Sequence, residues 1–445
     1  MDILTLLQQL NPILSQTTIQ QMSQIITAML AMTGRITMLG ISRWTDKGGS
    51  YRTVQRYFQT TISWGQVMWQ FFCAHLKQEG DEYVLAGDEC VVTKSGKLTY
   101  GIDRFFSSLF GKPVSSVALF ALSVINCRER RAYPVLAEQV IRTEEEKATA
   151  KKKAQQKKAK KKAKGGKPGR PKGSKNRNKS QVILTPELLR IQRMIGQFLA
   201  LAGNLIKLTY LVLDGHFGNN NALQMVLGLG LHLVCKLRSD SALYFQYEGD
   251  NKRKKYGDKI DYANLPARFL KETTTEDGVR TDIYQATMRH KEFACPLNVV
   301  IILKTILDTG ASARVILFSS DLQLAWDKLL DYYQLRFQIE FIFRDAKQHW
   351  GLEDFMNVKE TPVTNAINLS IFMVSVSQVL LRDLRQEDST VNVLDLKAIY
   401  RGHKYVAETL KLLPQKPDPI LSDLIFDRIS RLGRVHNSLP SLNSS

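Results

Sequence analysis

The stretch "YVLAGDECVV" (residues 83–92) marks a change of texture in the chain. Before it, over residues 1 to about 78, apolar residues recur at helical spacing, as in "ILTLLQQL" and "TIQQMSQIITAML". From Tyr83 onward they come in short runs bounded by turn residues, the pattern of strands. "SSVALFALSVI" and "RAYPVLAEQVI" read as two further strands, and Asp88 follows the apolar "YVLAG" at a strand end, where a side chain can face a cleft. "LTPELLRIQRMIGQFLALAG" reads as a long helix, "LTYLVLDG" as a fourth strand ending near Asp214, and "LHLVCKL" as a fifth after a helix near Asn220 to Leu229. Three sequential strands followed by alternating helix and strand predict an α/β fold, a mixed sheet with flanking helices.

Working outward gives the expected organisation. Residues 1–80 form a helical region. The α/β core comes in three parts, 81–142, 182–237 and 313–382, separated by a basic low-complexity segment (143–181) and a turn-rich, β-rich insertion (238–312). Residues 383–445 form a helical C-terminal region.

The formal charge of +20 points to a polyanionic partner, but residues 151 to 180 alone hold 15 basic residues and no acidic one, so 20 − 15 leaves +5 for the remainder. That tract is too polar to bury a core. Within it "KPGRPKGSKN" places Arg170 before a proline between cations, which resembles an AT-hook, an extended segment lying in a narrow minor groove; the bland alternative is a charged solubility loop. In the N-terminal region "RITMLGISRWTDKGGSYRTVQRYFQT" reads as a short helix, a break and a second helix exposing Arg52, Gln55 and Arg56, which suits either a DNA-reading helix-turn-helix or a plain helical hairpin.

Five cysteines without a CxxC argue against a disulfide scaffold or zinc ribbon and for a reduced cytosolic compartment. "MDILTLLQQLNPILSQTT" has no basic region ahead of its apolar stretch, unlike a signal peptide. The longest uncharged run, Thr361 to Leu381, carries Asn365, Asn368, Ser370, Ser375, Ser377 and Gln378, and is expected as a buried helix rather than a membrane span.

The chemistry is expected in "YYQLRFQIEFIFRDAK" (residues 332–347). Read as one helix advancing 100° per residue, it brings Tyr333, Arg336, Glu340 and Lys347 within a sector of roughly 60°. Elsewhere this helix is apolar, through Leu335, Ile339, Phe341 and Ile342, so a polar stripe there borders a cleft or, more blandly, forms a solvated ion-pair row. One carboxylate between cations suits a metal ligand beside a phosphate backbone, with Asp88 and Asp214 as partners; taken singly, each of those is an ordinary turn residue.

Together, Asp88, Asp214 and Glu340 within Y-x2-R-x3-E-x6-K resemble the DDE transposases of bacterial insertion sequences, in the insertion sequence 4 type with its Tyr-Arg-Glu-Lys signature, and "LDGHFGNN" is similar to that family's second-Asp region. The resemblance implies an RNase H-like core and the triad Asp88, Asp214 and Glu340 as catalytic ligands of two Mg²⁺ ions, Mn²⁺ being an alternative. It also implies Tyr333, Arg336 and Lys347 on the element's end, double-stranded DNA as partner, a homodimer in the DNA complex, no membrane, and a bacterial cytoplasmic, nucleoid-associated location. The implied activity is cut-and-paste transposition: end binding, metal-dependent strand cleavage, and transfer of the 3′-OH into target DNA. The sequence departs from the pattern in two places. Residues 238 to 312 contain no Trp to stack on a flipped base, Trp326 lying ahead of the catalytic helix instead, and the basic tract is extra. The competing readings are a stand-alone RNase H-like nuclease and a catalytically idle, transposase-derived DNA-binding regulator.

Overall fold

The structure is a computed structural model, and it describes residues 2–46, 49–148, 178–251 and 253–436. Most of the basic tract, Arg170 included, lies outside the described residues.

Five helices open the chain: α1 (Ile3–Leu7), α2 (Gln16–Ala31), α3 (Met38–Ser42), α4 (Tyr51–Gln59) and α5 (Trp64–His75). Polar caps set their starts. Asp2, Ser15, Thr37 and Ser50 each accept a backbone N–H from the first turn of the helix that follows. The strand β1 (Tyr83–Thr93) then enters the sheet. Its first five residues are all buried, and Gly87 is required among them, because a Cβ there would lie 2.7 Å from the Phe120 ring of the neighbouring strand.

β1 pairs antiparallel with β3 (Lys112–Asn126), Asp88 lying opposite Ala121, and parallel with β5 (Leu208–Val212). β3 is flanked on its other side by β2 (Asp103–Ser107) and β4 (Arg131–Gln139), while β5 runs parallel to β6 (His232–Leu237). Between β4 and β6 come α6 (Pro186–Ala202) and α7 (Asn220–Gly228). This is the α/β RNase H-like arrangement: an antiparallel group of four sequential strands, β1 to β4, joined through the first of them to a parallel pair.

The sheet does not stop at β6. The strands β7 (Leu243–Gln246), β8 (Tyr256–Lys259), β9 (Leu270–Glu276), β10 (Val279–His290), β11 (Leu297–Ile306) and β12 (Ser312–Ser319) extend it to twelve strands, with β12 hydrogen-bonded directly to β6. Then follow α8 (Trp326–Leu335), α9 (Gln338–His349), α10 (Glu360–Glu387), α11 (Val393–Leu412) and α12 (Pro419–Ser430).

α10 is long and apolar enough to cross a membrane, yet 89% of its apolar window is buried inside the protein. One of its buried polar side chains, Asn365, is bonded through both its amide oxygen and its amide nitrogen, whereas Asn368 and Gln378 each keep a buried oxygen without a donor. Asn365 donates to the carbonyls of Phe58 and Thr60, both at 2.8 Å, and accepts from the Trp64 indole at 2.8 Å. A fully bonded amide of this kind joins the N-terminal helices to the core and fixes their register on α10.

Candidate active site

Asp88 is not at a strand end. It is the sixth of the eleven residues of β1, whose pairing with β3 continues through Thr93↔Ser116. In the sequence the Gly87–Asp88 step looks like a terminus because the apolar run stops there. The structure shows instead that burial lapses at Asp88 and Glu89 while the hydrogen-bond ladder goes on. Asp214 does follow a strand, two residues beyond β5, where its carboxylate caps the short helical turn Gly215–Phe217 by accepting the His216 N–H at 3.1 Å.

The helix expected over residues 332–347 is two. α8 ends at Leu335, and Arg336 and Phe337 form a tightened turn before α9 begins. Neither a proline nor a glycine signals the break. It consists of i→i+3 bonds, from Phe337 N–H to Gln334 at 3.0 Å and from Ile339 N–H to Arg336 at 3.1 Å, with the backbone still in the right-handed helical region. The turn places Arg336 between carboxylates. Its Nη1 donates to Asp88 Oδ2 at 2.5 Å and its Nη2 to Glu340 Oε1 at 3.2 Å, so one guanidinium spans β1 and α9. Its Nε is buried and has no acceptor.

The electrostatics follow from that packing. Burial, offset in part by Arg336 and by the Glu89 N–H, pushes the Asp88 carboxyl up to about 6, with Asp214 and Glu340 adding repulsion. Arg336 is held firmly charged despite its burial, mainly by Asp88, then by Tyr333, Glu340 and Asp214. The Tyr333 ring lies 6.0 Å from the Arg336 guanidinium. Its hydroxyl is pushed up to about 12, chiefly by burial.

Asp88, Asp214, Glu340, Arg336 and Tyr333 thus belong to one electrostatic cluster, drawn from β1, the end of β5, α8, α9 and the turn between those helices. Lys347 stands at its margin. It donates to the Val91 carbonyl of β1 at 2.9 Å and pairs with Glu353 at 3.4 Å, tying α9 to the strand that carries Asp88.

A neighbouring pair has no role in the sequence reading. His216, two residues after Asp214, meets Glu187 in the first turn of α6 at 3.3 Å, which raises the imidazole and lowers the carboxyl. Glu89, beside Asp88 in β1, is raised mainly by its own burial and then by Glu187. His216 is visible within "LDGHFGNN", but nothing local points to Glu187, 29 residues earlier. The residues Arg52, Gln55 and Arg56 lie on α4, apart from this cluster; Arg52 and Arg56 are exposed and Gln55 is partly so, while Val54, Tyr57 and Phe58 anchor the helix inward. Trp326 starts α8 and packs against the core.

The donor set fits a hard divalent cation in chemistry: three oxygen-only side chains, mutually repelling and already drawing one cationic group between them. Among the described residues, however, no three carboxylate, histidine or cysteine side chains stand together as a ready-made metal cage.

The family model for the DDE superfamily endonucleases matches residues 6–292, more than half of the chain. The chain belongs to that family. The match takes in Asp88 and Asp214 and ends before the turn that carries Arg336 and Glu340. A search of curated proteins found no match.

Proposed function

We propose that this endonuclease-family chain is the transposase of an insertion sequence of the Tyr-Arg-Glu-Lys type, acting in the bacterial cytoplasm on double-stranded DNA by cut-and-paste transposition. The observation that carries the reading is the bridge from Asp88 through Arg336 to Glu340, with Asp214 close enough to raise Asp88. Three carboxylates separated by more than 250 residues of sequence share one electrostatic site, and that site includes the arginine and tyrosine of the signature.

In this reading Asp88, Asp214 and Glu340 hold divalent ions, Mg²⁺ or Mn²⁺. When bound, such a pair supplies activation of the attacking oxygen and neutralisation of the leaving one. The chain's own residues do the rest. Arg336, released from Asp88 and Glu340 as those carboxylates take cations, turns its guanidinium, with the unpartnered Nε, toward a DNA phosphate. Tyr333 limits that guanidinium's freedom by packing beside it. Lys347 keeps α9 in register with β1. Water first attacks the phosphodiester at the element's end and frees a 3′-OH; that hydroxyl then attacks a phosphodiester of target DNA, whose own 3′ oxygen leaves.

Residues 1–80, through Arg52, Gln55 and Arg56, are assigned to recognition of the end, and the basic tract with Arg170 to further DNA binding. Two ends held together imply a homodimer in the complex. Incubation of the purified chain with Mg²⁺ and a plasmid carrying the flanking inverted repeats tests the proposal. Excision with insertion is expected; cleavage without joining would make the chain a stand-alone nuclease, and binding without cleavage a regulator.

A further inference from the structure

The helix α9 has a second polar neighbourhood, to one side of Glu340. A cavity of about 200 Å³ opens between α9, the later turns of α10 and the start of β4, lined by Arg131, Gln338, Phe341, Arg344, Gln378 and Arg385 among others. By volume it has room for about six or seven water molecules, and so for a phosphate with part of its sugar.

The charges in its wall are unbalanced. Three guanidinium groups face one carboxylate, Asp345, and that carboxylate is paired with Arg344 at 3.0 Å. Arg385 donates its Nε to the Val391 carbonyl at 2.9 Å. Its protonation is disfavoured first by burial and then by Arg131. Among the described residues the Arg131 side chain has no ion pair or hydrogen bond, although the other arginines of its hairpin are paired, Arg128 with Asp81 and Arg130 with Asp331. The Gln378 side-chain oxygen is buried in the same wall without a donor. An occupant that relieves all of this brings anionic oxygens to Arg131 and Arg385 and an N–H or O–H to Gln378. A nucleotide unit, or a phosphate with its water, carries both.

The route from the carboxylates to this cavity is aromatic and cationic. Phe337, 49% exposed, follows Arg336 directly; its ring meets Phe341 edge-on at 5.4 Å, and Arg344 lies over Phe341 at 4.6 Å. Rings alternating with cations form the kind of surface on which unpaired bases stack while phosphates are held.

We propose that the cavity holds a phosphate of the DNA strand continuing past the cleavage point, with Phe337 and Phe341 as the stacking surface between it and Glu340. The inference rests on the DNA-processing reading above and adds to it a DNA-binding pocket outside the carboxylate site.

The test is fluorescence anisotropy in EDTA, with a labelled duplex bearing a short single-stranded overhang and the same duplex blunt-ended. Arg131→Glu is expected to weaken binding of the overhang duplex by about tenfold, the size of one charge-assisted hydrogen bond removed. The blunt duplex should be affected less, Arg131→Lys should recover most of the affinity, and the melting temperature should not move, because Arg131 is exposed and unpaired. Equal affinity of Arg131→Glu and wild type for the overhang duplex overturns the assignment. So does a result in which Arg131→Glu abolishes only stabilisation by inorganic phosphate, since the cavity would then be a free-anion site. Wild type binding neither duplex would bring down the DNA-processing reading and this pocket with it, whereas intact binding with an unresponsive Arg131 removes the cavity assignment alone.

Discussion

Arg336 and Lys347 stand beside the carboxylates with their charges turned toward the protein itself, on Asp88, Glu340, Glu353 and the Val91 carbonyl, whereas Arg52 and Arg56 on α4 face solvent with no such partner among the described residues. All four are cations for which the sequence offers a DNA role, Arg336 and Lys347 through the family resemblance and Arg52 and Arg56 as one of two readings of their helix. Their surroundings separate them into two kinds. A cation already engaged by carboxylates must be released before it can hold phosphate, so in the free protein its removal is felt first as lower stability. A free cation contributes little to the fold, and its removal is felt as weaker binding.

The largest expected effect breaks the comparison at its centre. Asp88→Asn, Asp214→Asn and Glu340→Gln should each lower Mg²⁺-dependent cleavage by about a thousandfold or more, as happens when groups acting as a unit lose one member. Binding of end DNA should survive in each, and a gel-shift assay alongside a nicking assay separates the two readouts. Substantial cleavage by any one of the three removes that residue from the site.

Next comes Arg336→Ala, which leaves Asp88 facing Asp214 and Glu340 without its counter-charge. The Arg336 side chain is only 13% exposed and that of Asp88 20%, so a cost of about 3 kcal/mol is expected, the scale of breaking a buried pair. Urea denaturation without DNA or metal should show it as a lower midpoint at unchanged slope. An unchanged midpoint would mean that Arg336 is as free as Arg52.

Arg52→Ala and Arg56→Ala should do the reverse. The double variant is expected to melt like wild type, to bind end DNA about tenfold more weakly at moderate salt, and to flatten the plot of log K against log salt by about 0.9 for each phosphate no longer neutralised. A full salt slope in the double variant would leave α4 as one arm of a structural hairpin. Lys347→Met is expected to cost about 1 kcal/mol by leaving the Val91 carbonyl without its donor, with little change in the salt slope; a large drop in DNA binding at unchanged stability would move Lys347 to the other class.

The smallest effect concerns pH. Lys94 donates to the carbonyls of Glu353 and Phe355, both at 3.0 Å, and burial brings its ammonium down to about 8 from the usual 10.5. The unfolded chain therefore binds more protons than the folded one between those values. The Lys94 contribution to stability should accordingly rise with pH from about 8 to 10.5, the sign opposite to that of a lysine stabilised by a carboxylate. Lys397, which donates to the His349 carbonyl at 3.1 Å and is likewise brought down to about 8 by burial, acts in the same direction. Melting temperatures of wild type and Lys94→Met across that window should converge at the alkaline end.

What can be read from the sequence is whatever a local pattern encodes. The apolar runs of β1, β3 and β5 show the inner sheet, and the Tyr-Arg-Glu-Lys spacing marks the turn and helix that face it. β9 cannot be read, because "LKETTTE" is exposed at every position and has no buried face to leave an alternation. β2 is five residues long, too short for periodicity to register. The break at Arg336 and Phe337 has no glycine or proline to announce it. The hydrogen bond from Arg336 to Asp88 joins residues 248 apart, which no window along the chain can see. The same holds for the direct pairing of β12 with β6: a reading by segments makes the intervening strands an insertion, while the hydrogen bonds make them an extension of the same sheet.

That pairing also sets an order in time. Val234 of β6 is partnered by Ser319 of β12, 319 − 234 = 85 residues later in the chain, and Glu340 follows Asp214 by 340 − 214 = 126 residues. At synthesis rates of about 5–20 residues per second, roughly 6 to 25 seconds separate the emergence of Asp214 from that of Glu340. Throughout most of that interval β6 is a bare sheet edge, the kind that pairs with a neighbouring chain when nothing covers it. A nascent polypeptide arrested before Ser319 should therefore be prone to association, because β12 can close that edge only once the chain through Ser319 has been made.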